Sequence, residues 1–321
     1  MYGDKSRPQK KKIIGVNGRE YERQDLEHLI TKEQFLDLQA KGNSITAISK
    51  LIGFNQDVLR KLLKKEGWAT RPRSDFPKSP IYNVDTNFLN GWTKENAWFY
   101  GWFLSDGSLD VKANHIKFHI HPTDIDVLEK IKEITKFEGS IVATHKKNGT
   151  TGRQLRICRK KLVEGLLDKG CPSFDKTNTY TYPTITLEYE RHFLRGIFEG
   201  DGHIRSNRWD ILEIVIASAS YIFVRKLQER YLYFGINTSI KTHKAGGSGR
   251  KQDLYTAVTK SNLDALKMCW LMYEDVPNGL LMNRKYAKFI QYVREYYYKR
   301  NRRNKEVNAF IDKLLVELHL I

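Results

Sequence analysis

Hydrophobic positions first take helical spacing near residue 31. Thr31-Lys32-Glu33-Gln34 has the form of a capping box, and Phe35 and Leu38 follow at helical spacing. Gly42-Asn43-Ser44 breaks that helix, and Ile45, Ile48 and Ile52 mark the apolar side of a second. Gly53-Phe54-Asn55 reads as a tight turn with Asn55 as an N-cap. Val58, Leu59, Leu62 and Leu63 then give a third helix that stops at Gly67. The spacing therefore predicts a three-helix module over 31–67. Residues 1–30 carry no such pattern; with the run Gln9-Lys10-Lys11-Lys12 they read as a flexible basic arm. Residues 68–92, where Pro72, Pro77 and Pro80 sit among charged and small residues, read as a linker, because proline removes backbone donors and keeps a chain extended.

Beyond that linker the pattern repeats. Trp98-Phe-Tyr-Gly-Trp-Phe-Leu-Ser-Asp-Gly-Ser108 matches Phe193-Leu-Arg-Gly-Ile-Phe-Glu-Gly-Asp-Gly-His203, pairing Gly101 with Gly196, Asp106 with Asp201 and Gly107 with Gly202. Alternating stretches follow each Asp-Gly: Ile116, Phe118 and Ile120, then Leu212, Ile214 and Ile216. Helical stretches come next, through Val127, Leu128, Ile131 and Ile134, then Val224, Leu227 and Tyr231. Further strands hold Leu155 and Ile157, or Leu254 and Val258, and a helix begins near Leu162 or Leu263. The order helix-strand-strand-helix-strand-strand-helix occurs twice, over 93–190 and 191–290, and 291–321 reads as a basic helical extension.

Charge changes the picture. The 321 residues carry 55 Lys+Arg against 37 Asp+Glu, a net charge of +18, with 17 Tyr, 15 Phe and 6 Trp. So much aromatic mass argues for a folded chain, and the charge argues for a polyanionic partner, nucleic acid first. No apolar run reaches the length of a spanning helix, and the start lacks a signal-peptide core, so the expectation is a soluble intracellular protein. Cys158, Cys171 and Cys269 lie far apart and read as reduced thiols rather than a zinc site.

Two helices ending in Asp-Gly carry the chemistry. A carboxylate in the last turn faces the negative end of the helix dipole, at a cost of up to ~1 kcal/mol. At both equivalent points of a repeat, that cost suggests a compensating cation, and hard divalent ions take carboxylate oxygens. Gly101 and Gly196, with the small Ser105 and Gly200, would let the two helices approach closely. Glu199, opposite Leu104 in the first copy, reads as a packing residue or one that supports the site from behind, rather than a catalyst.

At this point the chain resembles the LAGLIDADG homing endonucleases in their single-chain, two-motif form. Phe99–Gly107 and Leu194–Gly202 align with the nine-residue signature, the first departing at Leu104, and Asn283-Arg284-Lys285-Tyr286 resembles the way such domains end. The resemblance implies an α+β fold of tandem pseudo-two-fold αββαββα repeats, with two four-stranded sheets forming a saddle over double-stranded DNA. It implies Asp106 and Asp201 as ligands of two or three Mg²⁺ ions at the repeat interface. Both strands would be hydrolysed across the minor groove of a long asymmetric site, leaving short 3′ overhangs. Basic residues assist such sites, and the aligned strand-to-helix junctions Arg159 and Lys260 are the catalytic candidates, with phosphate contact or plain solvated charge as their other reading. Such enzymes are monomers with internal pseudo-symmetry that move their own genes, often from introns. The expected setting is a bacterial or phage-infected cytoplasm, or an organelle. An RNA-binding intron-splicing maturase and a non-cleaving DNA-binding regulator share the fold and stay open. An intein is disfavoured because no Cys or Ser starts the chain and no His-Asn ends it.

The reading surfaces follow from alternation. Lys117 and His119, Arg153 and Arg156, Arg205 and Arg208, and Lys241 and His243 stand among apolar strand residues and are candidates for base and phosphate contact. The 31–67 module resembles a helix-turn-helix, with Gln56, Asp57, Arg60 and Lys61 on the exposed side of a recognition helix. In the basic C-terminal stretch Arg284, Lys285, Arg300, Arg302 and Arg303 are candidates to grip the DNA backbone.

Overall fold

The computed structural model describes residues 13–14, 20–21, 30–41, 43–68, 82–145, 149, 151–206, 211–246, 251–298 and 304–320. Arg208, Arg300, Arg302, Arg303, the Gln9–Lys12 run and the three linker prolines lie outside the described residues. The chain divides into two compact units, 1–81 and 82–321.

In the first unit, β1 (Ile13–Ile14) pairs antiparallel with β2 (Glu20–Tyr21), so part of the stretch expected as a flexible arm is a short hairpin. Three helices follow: α1 (Lys32–Ala40), α2 (Ile45–Leu51) and α3 (Gln56–Lys65). The capping box is formed: Thr31 N–H donates to Gln34 Oε1 at 3.1 Å and Gln34 N–H to Thr31 Oγ1 at 3.2 Å. Gly53 turns the chain in the left-handed region, at φ +66°, and Asn55 Oδ1 accepts from Asp57 N–H at 2.9 Å. Phe35, Ile48, Leu59 and Leu63 are wholly buried and Trp68 closes the core, its ring 5.8 Å from that of Phe35. Trp68 thus belongs to the helical module rather than to the linker.

The second unit is built from two copies of one topology. The first runs α4 (Lys94–Asp106), β3 (Gly107–Asp110), β4 (His115–Ile120), α5 (Ile125–Thr135), β5 (Val142–His145), β6 (Thr151–Cys158) and α6 (Lys160–Asp168). A short α7 (Lys176–Thr179) leads to the second copy: α8 (Leu187–Asp201), β7 (Gly202–Ser206), β8 (Leu212–Ser218), α9 (Tyr221–Tyr233), β9 (Thr238–His243), β10 (Leu254–Thr259) and α10 (Asn262–Tyr273). Strand orders are β3-β4-β6-β5 and β7-β8-β10-β9, all antiparallel, so the order expected from the sequence is met in both halves. Two helices, α11 (Asn283–Tyr298) and α12 (Lys305–Glu317), follow; α11 runs straight through the boundary expected at residue 290.

Residues 82–92, expected within the linker, fold onto the first repeat. Leu89 is buried, Asp85 N–H donates to Thr135 O at 2.8 Å, and Asn96 Nδ2 donates to Phe88 O at 2.9 Å. One apolar core joins α4, α8 and the inward faces of both sheets with α10, α11 and α12. Along β8 every second residue from Leu212 to Ser218 is buried, which leaves Glu213, Val215 and Ala217 on the opposite, open face. Among the described residues no helix is long and apolar enough to cross a membrane.

Candidate active site and nucleic-acid interface

Helices α4 and α8 meet where neither has a side chain. A methyl group on Gly101 would lie 2.4 Å from Phe193 O, and one on Gly196 would lie 2.2 Å from Trp98 O. Both contacts are with backbone, so only glycine allows this approach. Further along, a Cβ on Gly200 would lie 2.3 Å from Ser105 Cβ, and Ser105 Oγ lies 3.4 Å from Ile197 O of the other helix. The close helix approach expected from the small residues is what the structure has.

The crossing brings both Asp-Gly ends to one place. That same Cβ on Gly200 would lie 3.2 Å from Asp106 Oδ2, so the Asp106 carboxylate sits beside the residue preceding Asp201. Both aspartates are exposed to solvent, though neighbouring atoms strip water from their carboxylates. Loss of hydration pushes both pKa values up. Asp201 rises to about 7, with the Asp106 charge adding to the shift and Lys176, Lys285 and a Ser105 hydrogen bond opposing it. Asp106 shifts the same way, for the same first cause, opposed by Lys285 and Lys176.

Two lysines complete the site. Lys176 Nζ donates to Phe103 O at 2.8 Å and to Leu104 O at 2.5 Å, closing the last turn of α4. Lys285 Nζ donates to Phe198 O at 2.8 Å and Glu199 O at 2.6 Å, closing the last turn of α8. These ammonium groups meet carbonyls that a helix end leaves unpaired and oppose its negative pole. Burial lowers both pKa values, to about 8. Lys285 is 5% exposed, which corrects its expected place among residues gripping DNA phosphates. Lys176 has no forewarning in the repeat pattern. It precedes the second motif on a one-turn helix, whereas Lys285 sits in a sixteen-residue helix, so a fixed-offset comparison does not pair them.

Arg159 and Lys260 are not at this centre. Strand register places Cys158 opposite His115, which faces Asp110, so Arg159 lies past the far end of β3, about 10 Å along the strand from Gly107. Arg159 donates to Cys158 O at 2.8 Å and to Tyr82 O. Lys260 follows Thr259, whose Oγ1 accepts from Ile214 N–H at 3.0 Å, beyond the level of His203 and Val215. The charges near the carboxylates come instead from Lys176 and Lys285.

Glu199 is wholly buried at the crossing. Its Oε2 accepts from Trp98 Nε1 at 2.7 Å and Trp102 Nε1 at 3.1 Å, and its Oε1 accepts from Met282 N–H at 2.9 Å. Burial pushes its pKa up, opposed first by Arg195 and then by these hydrogen bonds. Its reading as a packing residue agrees with this place.

Parity sorts the strand candidates. Lys117 and His119 share the open face of the first sheet with His115, Gln154 and Arg156; Arg156 pairs with His115 Nδ1 at 2.9 Å, and His119 with Thr144 Oγ1 at 2.8 Å. Arg153 stands opposite Ile120, on the helix side, since an odd separation from Arg156 puts it on the other face. That removes Arg153 from the candidate reading surface. On the second sheet Arg205, Lys241 and His243 share the open face with His203; Arg205 is ion-paired to Glu213. Arg284 holds Asp124 with two hydrogen bonds, at 2.9 and 3.1 Å, tying α11 to the first repeat. In the first unit Asp57, Arg60 and Lys61 are exposed and Gln56 is half-buried on α3. Among the described residues no group of three or more His, Cys, Asp or Glu converges on one point.

Comparison with known proteins bears on the second repeat. Residues 188–267 match the family model of the LAGLIDADG-like domain. No curated protein matches the chain. Among solved structures, full-length DUF199/WhiA from Thermatoga maritima is similar at 16% identity, covering 74% of this chain and 72% of that one, with a TM-score of 0.42. The homing endonuclease I-WcaI bound to its DNA recognition sequence is similar at 16% identity over 70% of this chain and 97% of that one, TM-score 0.42. Mesophilic variants of the homing endonuclease I-DmoI are similar at 15% identity over 59% and 93%, TM-score 0.39.

Proposed function

We propose, from the premise that the chain carries a LAGLIDADG-like domain across its second repeat, that it is a site-specific double-strand DNA endonuclease, acting as a monomer with divalent metal. The observation that carries this is the meeting of Asp106 and Asp201 at the open end of a glycine-packed helix pair.

The donor set fits a hard cation. The Asp106 charge raises the proton affinity of Asp201, and both residues face solvent, where two carboxylates offer the hard oxygen ligands such an ion takes. Asp106 and Asp201 would hold Mg²⁺, which supplies charge at the scissile phosphate when bound there. Ser105 stands at the crossing, its hydroxyl directed to Gly101 O at 3.2 Å and Ile197 O at 3.4 Å, and it lowers the proton affinity of Asp201. Lys176 and Lys285 fix the ends of α4 and α8 and place a positive charge beside each half of the site, where the phosphate's charge grows during hydrolysis. The open faces bearing Lys117, His119 and Arg156, and Lys241 and His243, lie to either side and suit the major groove flanking the cut.

The test is cleavage. The purified chain is incubated with Mg²⁺ and a plasmid carrying the uninterrupted insertion locus of its gene. Linear product with short 3′ overhangs is expected, and none from Asp106→Asn or Asp201→Asn. Tight binding of that plasmid with no strand cut would instead favour a non-cleaving regulator.

A further inference from the structure

The two halves of the site are held differently. Met282 opens α11: its carbonyl accepts from Lys285 N–H at 3.2 Å and from Tyr286 N–H at 3.1 Å. Its own N–H donates to buried Glu199 Oε1, while the two indoles of α4 hold Oε2. One turn on, Lys285 reaches back to the carbonyls of the helix that carries Glu199. Carboxylate, backbone amide, helix start and lysine thus form a closed loop at the last turn of α8. The first half lacks this loop: Leu104 occupies the place of Glu199, and Lys176 rides on the one-turn α7.

We propose that Glu199 is a positioning residue that seats Lys285 through the Met282 amide, and that it governs only the half of the site served by Lys285. The strand-selective part rests on the nuclease reading above; the seating part does not.

Glutamine is the discriminating substitution. Glu199 uses both oxygens as acceptors, for three donors in all. In Glu199→Gln one oxygen becomes an NH₂, which must face either the Met282 amide or the indoles, donor against donor. The oxygen keeps two bonds at the indoles against one at the amide, so the NH₂ meets the Met282 N–H and the α11 start loses its anchor.

Two measurements on the full chain decide it. In the first, surface and buried amines are reductively methylated and Lys285 and Lys176 are followed by peptide mass spectrometry, with no DNA present. In Glu199→Gln, Lys285 should be labelled several-fold faster and Lys176 at the wild-type rate. Equal rates at Lys285 in both proteins, or equal acceleration at both lysines, overturn the proposal. In the second, the two strands of the target are labelled separately. Glu199→Gln and Lys285→Met should slow the same strand, by about tenfold or more for the positioning variant, and leave nicked product. Lys176→Met should slow the other strand. The double variant Glu199→Gln/Lys285→Met should be no slower than Lys285→Met alone. Equal slowing of both strands by Glu199→Gln, or additive losses, overturn it. A wild-type chain that cuts neither strand would defeat the nuclease reading, and the methylation result would still decide the seating. Should Glu199→Gln fail to fold, Trp102→Phe removes only the longer indole contact; it should shift Lys285 labelling in the same direction, and an unchanged rate counts against the proposal.

Discussion

Lys285 does for the helix ending in Asp201 what Lys176 does for the helix ending in Asp106: each ammonium group closes the last turn of one helix, and the charge of each opposes protonation of the acids. The repulsion between the acids is therefore opposed from two sides, which lets both helices end in an acid at one point.

Removing either acid should separate binding from chemistry. Asp106→Asn and Asp201→Asn are expected to abolish double-strand cleavage, leave affinity for the target within a few-fold, and leave thermal stability equal or higher because like charges no longer meet. Gel-shift, cleavage and thermal unfolding assays check this; wild-type cutting by both variants would sink the metal assignment.

The raised acid makes stability depend on pH in a fixed direction. The Asp201 pKa is about 7 in the folded chain against an ordinary value of 3.8, so the folded state holds this proton more tightly. Stability from this group is fully present below about pH 4 and is lost as pH rises through about 7. Metal-free wild type should therefore show a fall in stability between about pH 4 and about pH 7 that Asp201→Asn reduces. Mg²⁺, which replaces the proton, should raise stability most near pH 8. Urea unfolding across pH reads all three.

The glycine crossing should tolerate no methyl group. Gly101→Ala and Gly196→Ala drive a carbon to within 2.4 Å and 2.2 Å of backbone oxygen. Each should cost about 1–3 kcal/mol or more, as overpacking does. Chemical denaturation measures the loss, and an unchanged midpoint would mean the helices do not cross there.

Sheet parity predicts a contrast between two arginines three residues apart. Arg156→Ala should weaken DNA binding and lower the slope of log affinity against log salt by about 0.9, the value for one phosphate contact. Arg153→Ala, on the helix side, should leave the slope unchanged. Equal effects would mean the open face is not the one that meets DNA.

The two units should part cleanly. A chain of residues 82–321 should fold alone and keep cleavage, with weaker binding and a footprint shortened at one end, because the first unit has its own core around Phe35 and Trp68. Unchanged affinity would count against DNA binding by α3.

What the sequence made legible was what depends on local period and repetition. The capping box at Thr31, the alternation in β4 and β8, the doubled topology and the pairing of Asp106 with Asp201 all write themselves at fixed spacing. The lysines did not. Their role depends on a side chain returning from outside the repeat to a helix end, and unequal connections put them at unequal distances from the acids. Arg159 and Lys260 were misleading for a related reason: equivalent positions in a repeat need not be near its axis, and strand register sends these two away from it. Arg153 shows the limit of counting charges along a strand without parity. Residues 82–92 looked like linker because prolines precede them, yet Leu89 and the Asn96 hydrogen bonds anchor them to the first repeat.

Because α4 and α8 meet through bare backbone at Gly101 and Gly196, the joint between the halves uses none of the side chains on the open sheet faces. On the nuclease reading proposed above, each half would be re-addressed on its own: the residues of one outer surface would be exchanged as a block while the crossing, the acids and their lysines stay as they are. A chain assembled in this way takes up new addresses half by half, as a lock rekeyed one cylinder at a time.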